Sequence, residues 1–157
     1  MNRWVKLIIC ILICQMAGII GSIFTSQAIP SWYNTSDLIK PSFSPPNWLF
    51  APVWITLFTL MGISLYLVLE RGIKNVKVPL TVFGIQLILN TAWNFFFFGL
   101  RSPLYGLVNI IVLWLFIAIT IIEFYRVSRK AGLILLPYIA WVSIATLLNY
   151  SIWVLNP

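Results

Sequence analysis

The hydrophobic and polar residues of this 157-residue chain are arranged in long blocks. A membrane-spanning helix needs about 20 mostly apolar residues in succession, and five stretches of the sequence meet this requirement. They cover residues 5–25, 48–69, 79–100, 103–125 and 133–155. The pattern therefore predicts an all-α membrane protein, a bundle of five transmembrane helices that forms a single domain over residues 1–157.

Charged residues fall between these stretches or at their ends. Only 8% of the chain is charged and 61% is hydrophobic, whereas a soluble domain has about 25% charged residues. The net charge is +7. Because basic residues beside apolar stretches act as topology signals and contact anionic lipid, we expect the lipid bilayer as a partner and no nucleic acid.

The basic residues divide unequally between the two ends of the predicted bundle. Lys40 and Arg101 fall on one side. The other eight are Arg3, Lys6, Arg71, Lys74, Lys77, Arg126, Arg129 and Lys130. Since cytoplasmic loops are enriched in Lys and Arg, this asymmetry predicts a cytoplasmic N-terminus, an external C-terminus and an external loop over residues 26–47. We expect a multi-pass protein of the cytoplasmic membrane.

The first apolar stretch has two interpretations. Arg3 and Lys6 ahead of it, and residues 26–28 after it, loosely fit a secretory signal peptide. The stretch is about 20 residues long, however, and the apolar region of a signal peptide is about 7–15 residues long. This length favours a helix that is retained in the mature protein.

Most familiar catalytic chemistry is absent from the sequence. The chain has no histidine, and its only acidic residues are Asp37, Glu70 and Glu123. No charged residue lies in the middle of an apolar stretch, which argues against a pump or an ion-coupled transporter. Cys10 and Cys14 lie within the first stretch and are expected to be buried free thiols. We therefore expect no metal and no cofactor.

Polar amides mark one face of the third predicted helix. Gln86, Asn90, Trp93 and Phe97 follow a helical spacing that places them on one side. An amide in lipid must find a hydrogen-bond partner, so this face points into the bundle. The amides either form hydrogen bonds between helices or line a pocket.

Eight tryptophans are unusual for a chain of this length. Trp4 and Trp153 fit anchors at the membrane surface, where indole is favoured. Deeper aromatic residues form stripes on two helices, Trp54 with Phe58 on the second and Tyr138 with Trp141, Ala145 and Leu148 on the fifth. Spacing alone favours packing. A small residue beside a large flat one also leaves room for a flat ligand.

Small residues are spaced four apart in the first predicted helix. The pairs are Ala17 with Gly21 and Gly18 with Ser22. Such pairs let two helices approach closely, either within the bundle or between two copies of the chain. The spacing does not separate these two possibilities.

Several longer motifs resemble those of the tryptophan-rich sensory protein/translocator protein family, once called peripheral benzodiazepine receptors. In the loop and second helix they are Trp32-Tyr33, Lys40-Pro41-Ser42, Pro45-Pro46, Trp48, Ala51-Pro52 and Trp54. In the third helix they are Gln86, Leu89-Asn90, Trp93 and Phe97-Phe98-Gly99. In the fifth they are Pro137-Tyr138, Ala140-Trp141, Ala145-Thr146 and Leu148-Asn149-Tyr150. The resemblance covers nearly the whole chain in order.

The resemblance implies a five-helix bundle, often a homodimer, with a ligand pocket beneath a lid formed by residues 26–47. Its ligands would be porphyrins such as protoporphyrin IX, the drug PK11195 and, in animals, cholesterol. Trp54 and Trp141 would flank the ligand and carry any chemistry. The candidate ligand-binding residues are Trp32, Tyr33, Trp48, Trp54, Phe58, Gln86, Asn90, Trp93, Tyr138, Trp141, Ala145 and Leu148.

Two positions depart from the family pattern. The cholesterol motif proposed for animal members ends in a basic residue, and Val154 stands at that place here. Short motifs of this kind are weak indicators of sterol contact, so we do not predict specific cholesterol binding. Phe43 replaces a tryptophan that is common in the loop.

Three hypotheses for function remain at this point. In the first, the protein binds a tetrapyrrole as ligand or substrate and promotes its degradation by light and oxygen. In the second, it carries or senses porphyrins and other lipophilic molecules without chemistry. In the third, it is a structural membrane protein whose tryptophans only pack. Whether the protein is an enzyme is therefore open.

Overall fold

A computed structural model describes residues 2–33 and 38–156, and within these ranges the chain is helical without any β-strand. The helices are α1 (Arg3–Ala28), α2 (Asn47–Leu69), α3 (Lys77–Asn94), α4 (Pro103–Val127), α5 (Arg129–Ile134) and α6 (Leu136–Leu155). Wider π-helical turns extend α1 over Ile29–Tyr33 and α3 over Phe95–Gly99. A short 3-10 turn, Ile73–Asn75, connects α2 to α3.

Five segments are long and apolar enough to cross a membrane, which confirms the predicted five-helix membrane fold. They are Arg3–Tyr33, Asn47–Leu69, Lys77–Gly99, Pro103–Val127 and Arg129–Leu155. The fifth segment joins α5 to α6. The helix is interrupted at Leu135 because Pro137, in the first turn of α6, lacks an N–H and crowds the carbonyl four residues earlier.

The first helix is longer than the sequence pattern predicts. The predicted first span ends at residue 25 and its loop begins at 26, whereas the structure is helical to Tyr33. Pro30 cannot donate a helical hydrogen bond, and the chain widens into a π-turn there instead of ending. The Ser31 hydroxyl donates to the Gln27 carbonyl at 2.7 Å and stabilises this turn. Residues 34–37 of the predicted loop lie outside the described residues.

The two glycines of the small-residue pairs in α1 make contacts within the bundle. Gly18 faces the ring of Phe58 on α2, and a Cβ at position 18 would lie 2.6 Å from that ring. Gly21 faces the side-chain amide of Asn94 on α3, and a Cβ at position 21 would lie 2.6 Å from that amide. Because a side chain at either position would have to displace Phe58 or Asn94, these glycines allow α1 to pack closely on α2 and α3.

The two ends of the bundle differ in charge as the sequence predicts. Lys6 of α1 forms a salt bridge with Glu70, just after α2, at 3.4 Å. Near that same end of α2, the Ser64 hydroxyl donates to the carbonyl of Ala131 in α5 at 2.7 Å. The N-terminus and the connections that follow α2 and α4 therefore share one end. A cytoplasmic location for that end stays a prediction.

Candidate functional site

An aromatic chamber lies at the other end of the bundle, beneath the end of α1. About 10 Å³ of free space remains inside it, roughly what one water molecule requires. The chamber is lined by Tyr33, Pro45, Phe50, Trp54, Trp93, Phe97, Phe98, Trp141, Ile144, Ala145 and Leu148. Aromatic side chains from α1, α2, α3 and α6 thus almost fill the space that they enclose.

The third helix builds one wall of this chamber through its π-helical turn. The rings of Trp93 and Phe97 stack with centroids 5.0 Å apart and planes 18° apart. The backbone N–H of Leu100 bonds to the carbonyl of Phe95, five residues earlier. In such a turn residues five apart share a face, so Phe98 joins Trp93 at the chamber. Phe97 and Phe98 are 1% and 4% exposed.

Trp54 of α2 and Trp141 of α6 form the opposite side, with Phe50 wedged among the lining rings. The Phe50 ring lies 6.3 Å from Trp141 and 6.1 Å from Tyr33, edge to face in both cases. Trp54 lies 5.7 Å from Phe58, one turn further along α2. Phe50 was absent from the residues selected by sequence, although it precedes Trp54 by one helical turn.

A hydrogen-bond network joins α3 to α6 one turn deeper than the chamber. The Tyr138 hydroxyl donates to Oε1 of Gln86 at 2.7 Å and accepts from Nδ2 of Asn90 at 2.7 Å. All three side chains are buried. Gln86, Asn90 and Tyr138 therefore tie the helices together and do not line the chamber, and neither does Phe58.

The indole of Trp93 is held by a second network. Its Nε1 donates to Oδ1 of Asn149 at 2.9 Å. Nδ2 of Asn149 in turn donates to the carbonyl of Pro103, where α4 begins, at 2.7 Å. With its N–H satisfied and its orientation fixed, Trp93 presents a flat aromatic face to the chamber.

Two buried polar atoms of the chamber, the Oη of Tyr33 and the Nε1 of Trp141, form no hydrogen bond of good geometry with the described residues. The Ser44 side chain lies near the Tyr33 hydroxyl, but the Ser44 hydroxyl donates to the Pro41 carbonyl at 2.8 Å instead. Buried polar groups are almost always paired, and leaving one unpaired costs about 1–3 kcal/mol. Both unpaired groups belong to side chains that line the chamber. Such an arrangement suits a ligand that brings its own hydrogen-bonding groups.

The remaining residues selected by sequence lie outside the chamber. Trp32 packs against the rings of Phe97 and Phe98, with centroids 5.3 and 6.5 Å away. Trp48, in the first turn of α2, is 72% exposed. Of the twelve selected residues, the structure brings six together around the chamber, which are Tyr33, Trp54, Trp93, Trp141, Ala145 and Leu148.

The lid segment, residues 38–46, covers the chamber and is fastened in two places. Nζ of Lys40 lies 4.5 Å from the centroid of the Tyr33 ring. Ile39 exchanges two backbone hydrogen bonds with the side chain of Asn156, just after α6. Pro45 belongs to the chamber wall itself. The lid is thus held by the C-terminal ends of two helices, α1 and α6.

These features define a multi-pass membrane protein with an aromatic chamber closed by a lid. The sequence profile of the TspO/MBR family matches residues 10–154. The chain therefore belongs to this family.

Individual relatives cover nearly the full chain. The tryptophan-rich protein TspO of Chlorobaculum tepidum is 49% identical over 160 residues, which include all of both chains. A protein of the same name from Archaeoglobus fulgidus is 45% identical and covers 96% of this chain and 97% of its own. The human translocator protein is 37% identical over 96% of this chain and 89% of its own.

Proposed function

We propose that this membrane protein binds protoporphyrin IX and related tetrapyrroles in the aromatic chamber. The observation that carries the proposal is the set of flat rings around one space, with Trp54 and Trp141 opposite the stacked pair of Trp93 and Phe97. A porphyrin is a large flat aromatic ring, and offset or edge-to-face contacts between rings are favourable.

The unpaired polar atoms favour a ligand that also carries hydrogen-bonding groups. Nε1 of Trp141 is a donor, and Oη of Tyr33 both donates and accepts. The PK11195 class of drugs combines flat aromatic rings with an amide carbonyl, which accepts a hydrogen bond. We therefore extend the proposal to these drugs, with Trp141 as the donor to the carbonyl.

Binding requires the chamber to open. Ligand pockets usually enclose about 300–1,000 Å³, and the free space here is about 10 Å³. Phe50 follows the lid segment in sequence and fills the space between Trp141 and Tyr33. An outward movement of the lid with Phe50 would make room for the ligand next to Trp54 and Trp141.

We further propose that Trp54 and Trp141 take part in light-dependent breakdown of the bound porphyrin. Apart from the Tyr33 phenol, none of the chamber's lining side chains is an acid, a base or a metal ligand, whereas indole is electron-rich. Light-excited porphyrin would take one electron from an indole and pass it to O₂, forming superoxide. The indole radical would then regain an electron from the porphyrin, so that the net transfer is one electron from porphyrin to O₂.

A titration followed by illumination tests both parts. Wild type, Trp54→Phe, Trp141→Phe and the control Trp153→Phe would be titrated with protoporphyrin IX by fluorescence quenching and then illuminated under air. We expect saturable binding in all four, and slower bleaching of the porphyrin spectrum in the two chamber variants only. Equal bleaching in all four proteins would refute the proposed catalytic role of Trp54 and Trp141.

The same experiment separates the alternative functions. Binding with an unchanged porphyrin spectrum in light would favour a carrier or sensor. Absence of saturable binding would favour a structural protein. Ala145→Phe tests the location of the site, because the added ring would occupy the chamber and should abolish porphyrin binding while the helical circular dichroism spectrum is retained.

A further inference from the structure

Two basic residues stand apart from the others, at the chamber end of the bundle. Lys40 lies in the lid segment and Arg101 lies between α3 and α4. The acidic residues that the structure describes, Glu70 and Glu123, are paired with Lys6 and Arg126 respectively. Neither Lys40 nor Arg101 forms a salt bridge among the described residues; Asp37 lies outside them.

Lys40 is positioned over the chamber wall. Its ammonium group lies 4.5 Å from the centroid of the Tyr33 ring, and Tyr33 lines the chamber and is 1% exposed. A cation over an aromatic face is attracted to the ring without using its N–H donors. No described residue accepts a hydrogen bond from the three donors of Lys40, which can therefore serve an anion at the mouth of the chamber.

Arg101 occupies a backbone position that suits glycine better. Its φ angle is +52°, the only positive value among the non-glycine residues that the structure describes, and a non-glycine residue in this region is strained. Nη2 of Arg101 donates to Oγ of Ser31 at 2.9 Å, in the turn that ends at Tyr33. Its other N–H donors form no hydrogen bond with the described residues. The strained backbone position is thus occupied by Arg101, whose side chain carries a positive charge.

We propose that Lys40 and Arg101 recognise carboxylates, and that they bind the propionate groups of a tetrapyrrole whose ring occupies the chamber. This inference rests on the proposed function. The chamber lining contains no cation, and burial of an unpaired carboxylate is strongly unfavourable. The anionic edge of the ligand must therefore stay at the mouth, near the π-helical turn Ile29–Tyr33, where Lys40 lies over the Tyr33 ring and Arg101 bonds to Ser31.

The pair also defines a preference among flat ligands. A ring that carries carboxylates on one edge would enter with its neutral edge first. A neutral ring would gain only the contacts inside the chamber. Lys40 and Arg101 would thus select anionic tetrapyrroles at the mouth of the chamber.

The test compares two ligands that share one ring. Protoporphyrin IX carries two propionates, and its dimethyl ester carries none. Affinities would be measured by tryptophan fluorescence quenching in a neutral detergent, for wild type, Lys40→Gln, Arg101→Gln, the double variant and the control Lys74→Gln. Lys74 is an exposed cation at the opposite end of the bundle.

We expect each single variant to weaken binding of the diacid about threefold and the double variant about tenfold, as exposed ion pairs of about 0.2–1 kcal/mol predict. Affinity for the ester should not change, and Lys74→Gln should behave as wild type. Equal affinity of wild type for diacid and ester would overturn the carboxylate proposal alone. Absence of binding for both ligands would overturn the proposed function as well.

Arg101→Gly distinguishes the effect of the positive charge on ligand affinity from any effect on protein stability. Glycine adopts a positive φ without strain, so this variant should melt at or above the wild-type temperature. It should nevertheless lose the same diacid affinity as Arg101→Gln. Retention of full diacid affinity in Arg101→Gly would show that the guanidinium does not bind the ligand.

Discussion

The side chain of Asn156 makes two hydrogen bonds with the backbone of Ile39. Its Oδ1 accepts from the Ile39 N–H at 2.9 Å, and its Nδ2 donates to the Ile39 carbonyl at 2.7 Å. The two residues are 117 positions apart in sequence, and they join the lid segment to the end of α6. If the proposed ligand enters past the lid segment, this contact must loosen first.

Asn156→Ala should therefore speed the entry of protoporphyrin IX. Loss of exposed hydrogen bonds of about 1 kcal/mol in total would make opening easier and raise the association rate about fivefold. Stopped-flow fluorescence quenching would measure this rate. Asn75→Ala is the matched control, since Asn75 also donates from its side-chain amide to a backbone carbonyl, that of Arg71, at the opposite end. Equal association rates in wild type and Asn156→Ala would mean that this contact does not control entry.

Tyr138→Phe should destabilise the fold although it removes a single oxygen atom. The change leaves the buried Oε1 of Gln86 and Nδ2 of Asn90 without their partner. Interhelical hydrogen bonds in membranes are modest, so we expect the free energy of unfolding to fall by about 1–2 kcal/mol. Thermal unfolding in detergent would measure the loss. Tyr150→Phe, at a position that is 51% exposed, should unfold as wild type does; similar losses in both would refute the network's role.

The distribution of basic residues predicts the orientation of the protein in the membrane. Single cysteines at Lys74 and at Ser42 would be introduced into a Cys10→Ala/Cys14→Ala background, and intact cells would be treated with a membrane-impermeant maleimide. Both positions are exposed, at opposite ends of the bundle. We expect labelling at position 42 only, because the end rich in Lys and Arg should face the cytoplasm. Labelling at position 74 alone would reverse the orientation.

Hydrophobic patterning predicted the five helices because lipid-facing segments must be apolar and helical throughout their length. It could not predict where a helix widens. Pro30 signals a helix end in most contexts, yet the chain continues to Tyr33 through a π-turn. The same kind of turn brings Phe98 to the chamber. A regular α-helical spacing of the sequence does not predict that position for Phe98.

The chamber lining was predictable where a motif and a helical face agree. Trp54 and Trp141 were selected on both grounds, and they face the chamber together. Phe50 could have been found, because it continues the stripe of Trp54 and Phe58 by one turn. Trp48 was selected from its motif alone, and it is exposed. The contact of Asn156 with Ile39 joins distant parts of the chain, and no local pattern signals it.

Phe50→Ala should destabilise the ligand-free protein and increase the stabilisation that protoporphyrin IX provides. Removal of this half-buried ring leaves a gap between Trp141 and Tyr33, which should lower the free energy of unfolding by about 2 kcal/mol. A porphyrin would then enter a chamber that is already open in part, so the melting temperature should rise further on addition of protoporphyrin IX than it does for wild type. Phe95→Ala is the control, because Phe95 packs on Phe24 outside the chamber and should lose stability without any change in the ligand-induced shift. If both variants gave the wild-type shift, Phe50 would not occupy the ligand's space.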